Sequence, residues 1–159
     1  MNKIYLLLGS NMGNSRQQLL NSILLIEKKI GKIRRQSALY STQAWGNHSQ
    51  PDFLNQVIVI ETALTAAETI QSILSIEEMM GRVRTVKNAP RIIDIDILFF
   101  NKEIIQQLDL IVPHPEIQNR LFVLIPLNEL SPQFRHPVFN KSIHRLLLDC
   151  PDHLKVKKF

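Results

Sequence analysis

The stretch FLNQVIVIET, residues 53–62, decides the fold. β-Branched residues run through it and both of its faces are apolar, which is the pattern of a strand in the middle of a sheet. Upstream lies TQAWGNHSQPD (42–52), a long loop rich in turn formers, and before it IRRQSALYST (33–42), an extended segment. Downstream, Thr65 and Glu68 have capping-box spacing and open a helix to about Met80, with Gly81 as its C-cap. At the N-terminus, residues 3–8 read as a buried strand and GSNMGNS (9–15) as turn chemistry. Ser15 and Gln18 form a second capping box, opening a helix whose stripe includes Leu19, Leu20, Ile23, Ile26 and Ile30 and which stops at Gly31. Residues 91–100 supply a further strand. Strand, helix, strand, strand, helix, strand is the split βαβ pattern. The expected fold is therefore α+β: a ferredoxin-like βαββαβ antiparallel sheet with its helices packed on one face.

The other face is left for a ligand or for residues 101–159, which read as a C-terminal extension of short helices and loops. VPHPEIQNR (112–120) suggests a turn and one short helix with Pro115 at its first position, SPQFRHP (131–137) a loop, and NKSIHRLLLDC (140–150) a final helix. The basic end, KVKKF, reads as a solvated tail. Residues 1–159 are expected to form a single domain.

Composition narrows the function classes. Apolar residues at 45% and charged residues at 21% describe an ordinary globular chain, large enough to bury a core without disulfides. The lone Cys150 rules out an intrachain disulfide and a cysteine metal cage, and reads as a small apolar residue beside LLL. No apolar run reaches the roughly 18 residues of a membrane span. The run IYLLL is shorter than a signal-peptide core of about 7–15 residues and no A-x-A-like site follows it, so a cytoplasmic location is expected. A net charge of +5 favours anionic partners without choosing among them.

PRIIDIDILFF (90–100) sets two aspartates in an apolar strand. Alternation puts Asp94, Asp96 and Leu98 on one face and Ile93, Ile95, Ile97 and Phe99 on the other. The aspartate α-carbons then lie roughly 6.6 Å apart, close enough for both carboxylates to hold Mg²⁺. On periodicity alone, the wetted face of a half-buried strand is the more economical reading. The preceding loop changes the weighing, because Arg82, Arg84, Lys87 and Arg91 could clamp phosphates while the aspartates hold a metal. Plain salt bridging is the alternative.

Two further groupings stand out. In PDFLN (51–55), Phe53 and Asn55 share a strand face, which suits a flat heterocycle stacked on the ring and read at its edge by the amide; alone, the pair reads better as a core aromatic and a strand-end residue. In PHPEIQNRLF (113–122), His114, Arg120 and Phe122 cluster, although a lone His between prolines is usually a loop residue. There is no GxxxxGK[ST], no Ser/His/Asp or Cys/His grouping, and GSNMG alone is a weak signal. An RNA-recognition domain would need an aromatic-rich motif on a central strand, which FLNQVIVI lacks; no nucleic-acid or membrane partner is expected.

Taken in order, GSN (9–11), QPDFLN (50–55), GRVR (81–84), PR-x-x-D-x-D (90–96) and VPH-x5-R-x-F (112–122) resemble the 6-hydroxymethyl-7,8-dihydropterin pyrophosphokinase family of folate biosynthesis. The resemblance runs from residue 4 to about 130. It implies transfer of pyrophosphate from ATP to the hydroxymethyl group of the reduced pterin, with AMP leaving. It implies that Asp94 and Asp96 hold two Mg²⁺ ions. Phe53 and Phe122 would sandwich the pterin, with Asn55 at its edge, helped by Thr42 and the 43–46 loop. Arg82, Arg84, Arg91, His114 and Arg120 would face the triphosphate, with Glu77 on the nucleotide side. Arg82, Arg91 and the two aspartates would be catalytic. A monomer acting on small molecules is expected. The chain departs from the pattern at TVKNAPR, where Asn88 and Ala89 stand in place of the family's Trp and Gly, and Trp45 is the candidate replacement for that aromatic. Asp109 stands where a basic residue would help bind ATP.

Overall fold

The computed structural model describes residues 1–43, 49–83 and 89–159. Its strands are β1 (Asn2–Ser10), β2 (Lys32–Gln36), β3 (Tyr40–Thr42), β4 (Phe53–Thr62), β5 (Asp94–Phe100), β6 (Ile105–Gln107), β7 (Leu110–Val112) and β8 (Val156–Lys158). Its helices are α1 (Ser15–Lys29), α2 (Ala66–Met79), α3 (Leu121–Leu130) and α4 (Ile143–Asp149), with a 3₁₀ turn at Ile117–Asn119. The main sheet runs β5-β1-β4-β3-β8, with β2 also on β4, and every pairing is antiparallel. β6 and β7 make a separate hairpin.

β4 is central, as its two apolar faces require. The second expected strand is interrupted between β2 and β3. There Ser37 replaces ladder bonds with its own: its Oγ accepts from Val57 N–H at 3.0 Å, and its N–H donates to Val57 O at 2.9 Å. On one face, Ile4, Leu6, Ile58, Ile60, Ile95 and Ile97 pack against Leu19 and Ile26 of α1 and Ile73 and Ile76 of α2. On the other, Tyr5, Leu7, Val57 and Val59 pack against Val123, Leu124 and Leu127 of α3 and Ile143 and Leu146 of α4. The C-terminal segment thus covers the second face and makes β1 and β4 apolar on both sides.

Several expectations are corrected. Phe99 belongs to the second core together with Leu98, because the β1–β5 register passes from Tyr5↔Phe99 to Leu6↔Ile97 and leaves Leu98 as an extra residue. The α1 cap is Asn14, whose side chain accepts from Gln17 N–H at 3.2 Å; Ser15 is already helical and its hydroxyl is bonded to Ser10 Oγ. The Thr65/Glu68 box forms with both reciprocal bonds. α1 ends against β4 at Gly31, where a Cβ would lie 2.0 Å from Glu61 O. α3 fills residues 121–130, to which the sequence pattern assigns no element of their own, with Pro126 inside it. The basic tail pairs with β3 as β8.

His136 carries a stability prediction. It is buried against Phe99 and Phe139, and its Nδ1 accepts from the N–H groups of Val138 and Phe139. Burial pushes its pKa down to about 4. The unfolded chain therefore takes up a proton near pH 6.5 that the fold refuses until about pH 4, so the stabilising contribution is present above pH 6.5 and is lost as pH falls between those values. His136→Asn keeps an acceptor for the two N–H groups and cannot be protonated. Urea titrations at pH 7 and pH 5 should show a smaller loss of stability on acidification in that variant than in the parent.

Candidate active site

At the start of β5 the C-terminal layer stops short of the sheet, and the second face opens as a cleft of ≈ 850 Å³, counting its open mouth. The register builds its floor. Asp94, Gly9, Asn55 and Tyr40 are successive partners across β5, β1, β4 and β3, and Asp96 pairs with Leu7 two positions along. Gly9 lies between the carboxylate and the carboxamide of this row. A Cβ there would sit 2.7 Å from Asn55 Oδ1, so only glycine leaves Asn55 its place.

Phe53, at the start of β4, stands beside Asn55, and the Arg91 guanidinium lies 5.4 Å from its ring centroid. Asn55 is buried, and its Nδ2 has no hydrogen-bond partner among the described residues. A buried donor without an acceptor is costly and marks a place where a ligand can supply one. Thr42 lines the same cleft, its hydroxyl donating to Lys155 O at 3.3 Å. Phe122 and Arg120 come from the start of α3, with the guanidinium 5.8 Å from the ring centroid.

The charged end of the cleft is a network. Arg82 Nη1 donates to Glu77 Oε2 at 2.6 Å and to Asp94 Oδ1 at 2.9 Å, and Arg91 Nη1 lies 3.5 Å from Asp94 Oδ2. Glu77, buried at the end of α2, also accepts from Ile95 N–H at 2.8 Å. Burial works against the charge on Arg82, but Asp94 and Glu77 outweigh it and raise its pKa above the ordinary value. Burial, reinforced by Asp94 and Glu77 and only partly offset by Arg82 and Arg91, pushes the Asp96 carboxyl up to about 7. Among the described residues, three carboxylates thus face two close guanidiniums, and Asp96 has the weaker share of that positive charge. Burial, aided by Arg120 and opposed by Asp94 and Glu116, lowers the His114 pKa. Its Nδ1 accepts from Glu116 N–H at 3.1 Å, so the neutral ring is assigned its proton on Nε2.

Asn11 ties the parts together. It is buried; its Oδ1 accepts from Arg91 N–H, its own N–H donates to Arg91 O, and its Nδ2 donates to Gln50 Oε1 and Pro51 O. One side chain thereby fixes both loops that deliver Phe53 and Arg91. Of the residues expected from sequence, Thr42, Phe53, Asn55, Arg91, Asp94, Asp96, His114, Arg120 and Phe122 line this one cleft. Arg82 and Glu77 are not part of that lining but adjoin it, Arg82 bonded to Asp94 and Glu77 to Arg82. Trp45 and Arg84 lie outside the described residues. Gly9 and Asn11 of the GSN motif and Gln50 of QPDFLN carry no expected role; for the first two, the signal in the sequence is a glycine and an asparagine closing an apolar strand. Asp109 is exposed on the β6–β7 hairpin. It lines a second groove that also touches Asp96 and His114 and is otherwise mostly apolar, with Ile70, Leu108 and Ile111.

Known proteins resemble this chain in sequence and in fold. Residues 5–132 match the model of the family described as 7,8-dihydro-6-hydroxymethylpterin-pyrophosphokinase (HPPK). The 2-amino-4-hydroxy-6-hydroxymethyldihydropteridine pyrophosphokinase of Aquifex aeolicus is 38% identical over 90% of this chain and 89% of its own. The folic acid synthesis protein FOL1 of Dictyostelium discoideum is 38% identical over 95% of this chain, which spans only 23% of that protein's length. The crystal structure of Plasmodium falciparum HPPK-DHPS with pteroate has the same fold, with a TM-score of 0.76 at 22% identity, over 93% of this chain and 42% of that one. Among the described residues no helix is long and apolar enough to cross a membrane.

Proposed function

The chain belongs to the 7,8-dihydro-6-hydroxymethylpterin-pyrophosphokinase family, and on that premise we propose that it moves the β,γ-diphosphoryl group of ATP onto 6-hydroxymethyl-7,8-dihydropterin in folate biosynthesis. The hydroxymethyl oxygen forms a bond to the β-phosphorus while the bond from that phosphorus to the α–β bridging oxygen breaks. The hydroxyl proton is released, the pterin leaves as its diphosphate, and AMP carries the bridging oxygen. The observation that carries this reading is the single cleft in which an orphaned buried amide and two aromatic rings adjoin two aspartates and their arginines.

Phe53 and Phe122 hold the flat pterin between them, and Asn55 Nδ2 donates to an acceptor on its edge, gaining the partner it lacks. Thr42 and Trp45 complete that subsite. Arg82, Arg84, Arg91 and Arg120 bind phosphate oxygens, and neutral His114 offers Nε2–H. Glu77 acts through Arg82, fixing the guanidinium in place. The nucleoside suits the mostly apolar groove beyond Asp96 and His114, where Asp109 replaces a cation. Phosphoryl-type transfer asks mainly for this kind of positioning and charge neutralisation.

The donor set fits Mg²⁺. Two hard carboxylates share one strand face, Asp96 has the weaker share of the nearby positive charge, and Mg²⁺ usually needs only one or two carboxylates once substrate phosphates and water complete its shell. Asp94 and Asp96 would hold two such ions, which when bound neutralise phosphate charge and make the acceptor hydroxyl more acidic. Residues 1–159 act as one domain, as a monomer, in the cytoplasm.

The pterin assignment has a direct test. Asn55→Ala removes one buried hydrogen bond, so calorimetry should show pterin binding weakened about tenfold. ATP binding should stay within about twofold, since Asn55 lies across Gly9 from the carboxylates. Unchanged pterin affinity would remove Asn55 from the substrate site.

A further inference from the structure

Beyond α4 the chain does not simply trail off. Cys150 is its last residue packed against either core. From there Asp152 uses both carboxylate oxygens: Oδ1 accepts from Leu154 N–H at 2.9 Å, closing a local turn, and Oδ2 accepts from Leu121 N–H at 3.0 Å. Leu121 is the first residue of α3, and that helix has no cap from its own N-cap residue, Arg120. A carboxylate at this end satisfies an otherwise orphaned N–H and suits the positive end of the helix dipole. Leu121 is flanked by Arg120 and Phe122, both of which line the cleft. The tail then crosses to the far wall. Lys155 O accepts from Thr42 Oγ1, β8 pairs with β3 through Thr42↔Val156, Ser41↔Lys157 and Tyr40↔Lys158, and Phe159 N–H donates to Leu39 O. Thr42 is itself the register partner of Phe53.

We propose that residues 150–159 are a strap that sets the width of the pterin subsite, with Asp152 as its positioning residue. One end of the strap holds the turn carrying Phe122, and the other holds the strand beside Phe53. Two rings that sandwich a planar ligand work only at one separation, and the strap joins the two elements that determine it. The inference rests on the pterin reading above. Because no residue beyond Cys150 packs in either core, loss of the strap loosens the subsite without dissolving the fold.

The test sets two variants beside the parent: Asp152→Ala in the full chain, and a truncation after Pro151. Pterin and ATP affinities are measured by calorimetry, and kcat and KM by initial rates. Asp152→Ala should weaken pterin binding and raise the pterin KM by about tenfold, equivalent to about 1.4 kcal/mol. The truncation should do so at least as much, and in both kcat and ATP affinity should stay within about twofold. If the parent binds no pterin, the functional reading itself fails. If the parent binds pterin and Asp152→Ala binds it equally well, the strap proposal is overturned. Equal weakening of pterin and ATP would overturn it too, since a general structural defect does that. Should the truncated chain not fold, Asp152→Ala alone decides.

Discussion

Asp96→Asn is expected to reduce turnover by on the order of 10³-fold or more while leaving the protein at least as stable as the parent. The substitution keeps the shape of the side chain and removes one charge. In the fold that charge sits with Asp94 and Glu77 against Arg82 and Arg91, and it is partly buried. Nothing in this arrangement is stabilised by a third carboxylate, so neutralising it relieves repulsion. The same carboxylate is one of the two oxygen donors proposed for Mg²⁺, and charge neutralisation at a transferring phosphoryl group is among the largest catalytic contributions. Urea unfolding without Mg²⁺ and initial rates with Mg²⁺ and ATP check the two halves separately. Near-parental turnover would remove Asp96 from the metal site, and a collapse of stability would assign it a structural role instead.

Arg82→Ala should lose both activity and stability, and the two losses should be separable. Arg82 joins Glu77 to Asp94 by bonds of 2.6 and 2.9 Å, with side-chain exposures of 13% for Arg82 and 4% for Glu77. Removing the guanidinium takes from the buried Glu77 carboxylate its charged partner at 2.6 Å, which costs about 3 kcal/mol or more. The double variant Glu77→Gln/Arg82→Ala removes the stranded charge and keeps an acceptor for the Ile95 N–H. Its thermal midpoint should return most of the way to the parent value. Its kcat should stay depressed by about 10³-fold, the lower end of what an arginine on a transferred phosphoryl group contributes. Recovery of kcat along with stability would show that Arg82 serves the fold alone.

The parts of the fold legible in the sequence were those with local pattern. β1, β4 and the two helices on the first face announce themselves through apolar runs, periodicity and the Thr65/Glu68 box. Phe99 was put on the wrong face because a bulge at Leu98 breaks alternation, and nothing local marks it. Asn14 and Ser15 are adjacent cap-forming residues, each three positions before a glutamine, so spacing could not choose between them. α3 is apolar nearly all round and contains Pro126, which hides its period. β8 reads as a solvated end because its lysines fit an edge strand as well as a tail.

The site divides in the same way. Strand alternation places Asp94 with Asp96 and Phe53 with Asn55 on one face, but alone it favours a wetted strand and a core aromatic; the basic loop and the motifs in register are what mark these residues as site candidates. The work of Asn11 was not legible, since its partners lie about 40 and 80 positions away. Glu77 was expected on the nucleotide side; in the structure it is the buried anchor of Arg82, five residues on across the end of α2.

The central claim is the transfer of a diphosphoryl group, and the identity of the nucleotide product tests it most directly. Purified protein is incubated with ATP, Mg²⁺ and 6-hydroxymethyl-7,8-dihydropterin, and the nucleotides are separated by chromatography. AMP should accumulate in step with a pterin diphosphate, and both should be absent when the pterin is left out. Accumulation of ADP with a pterin monophosphate would contradict the account.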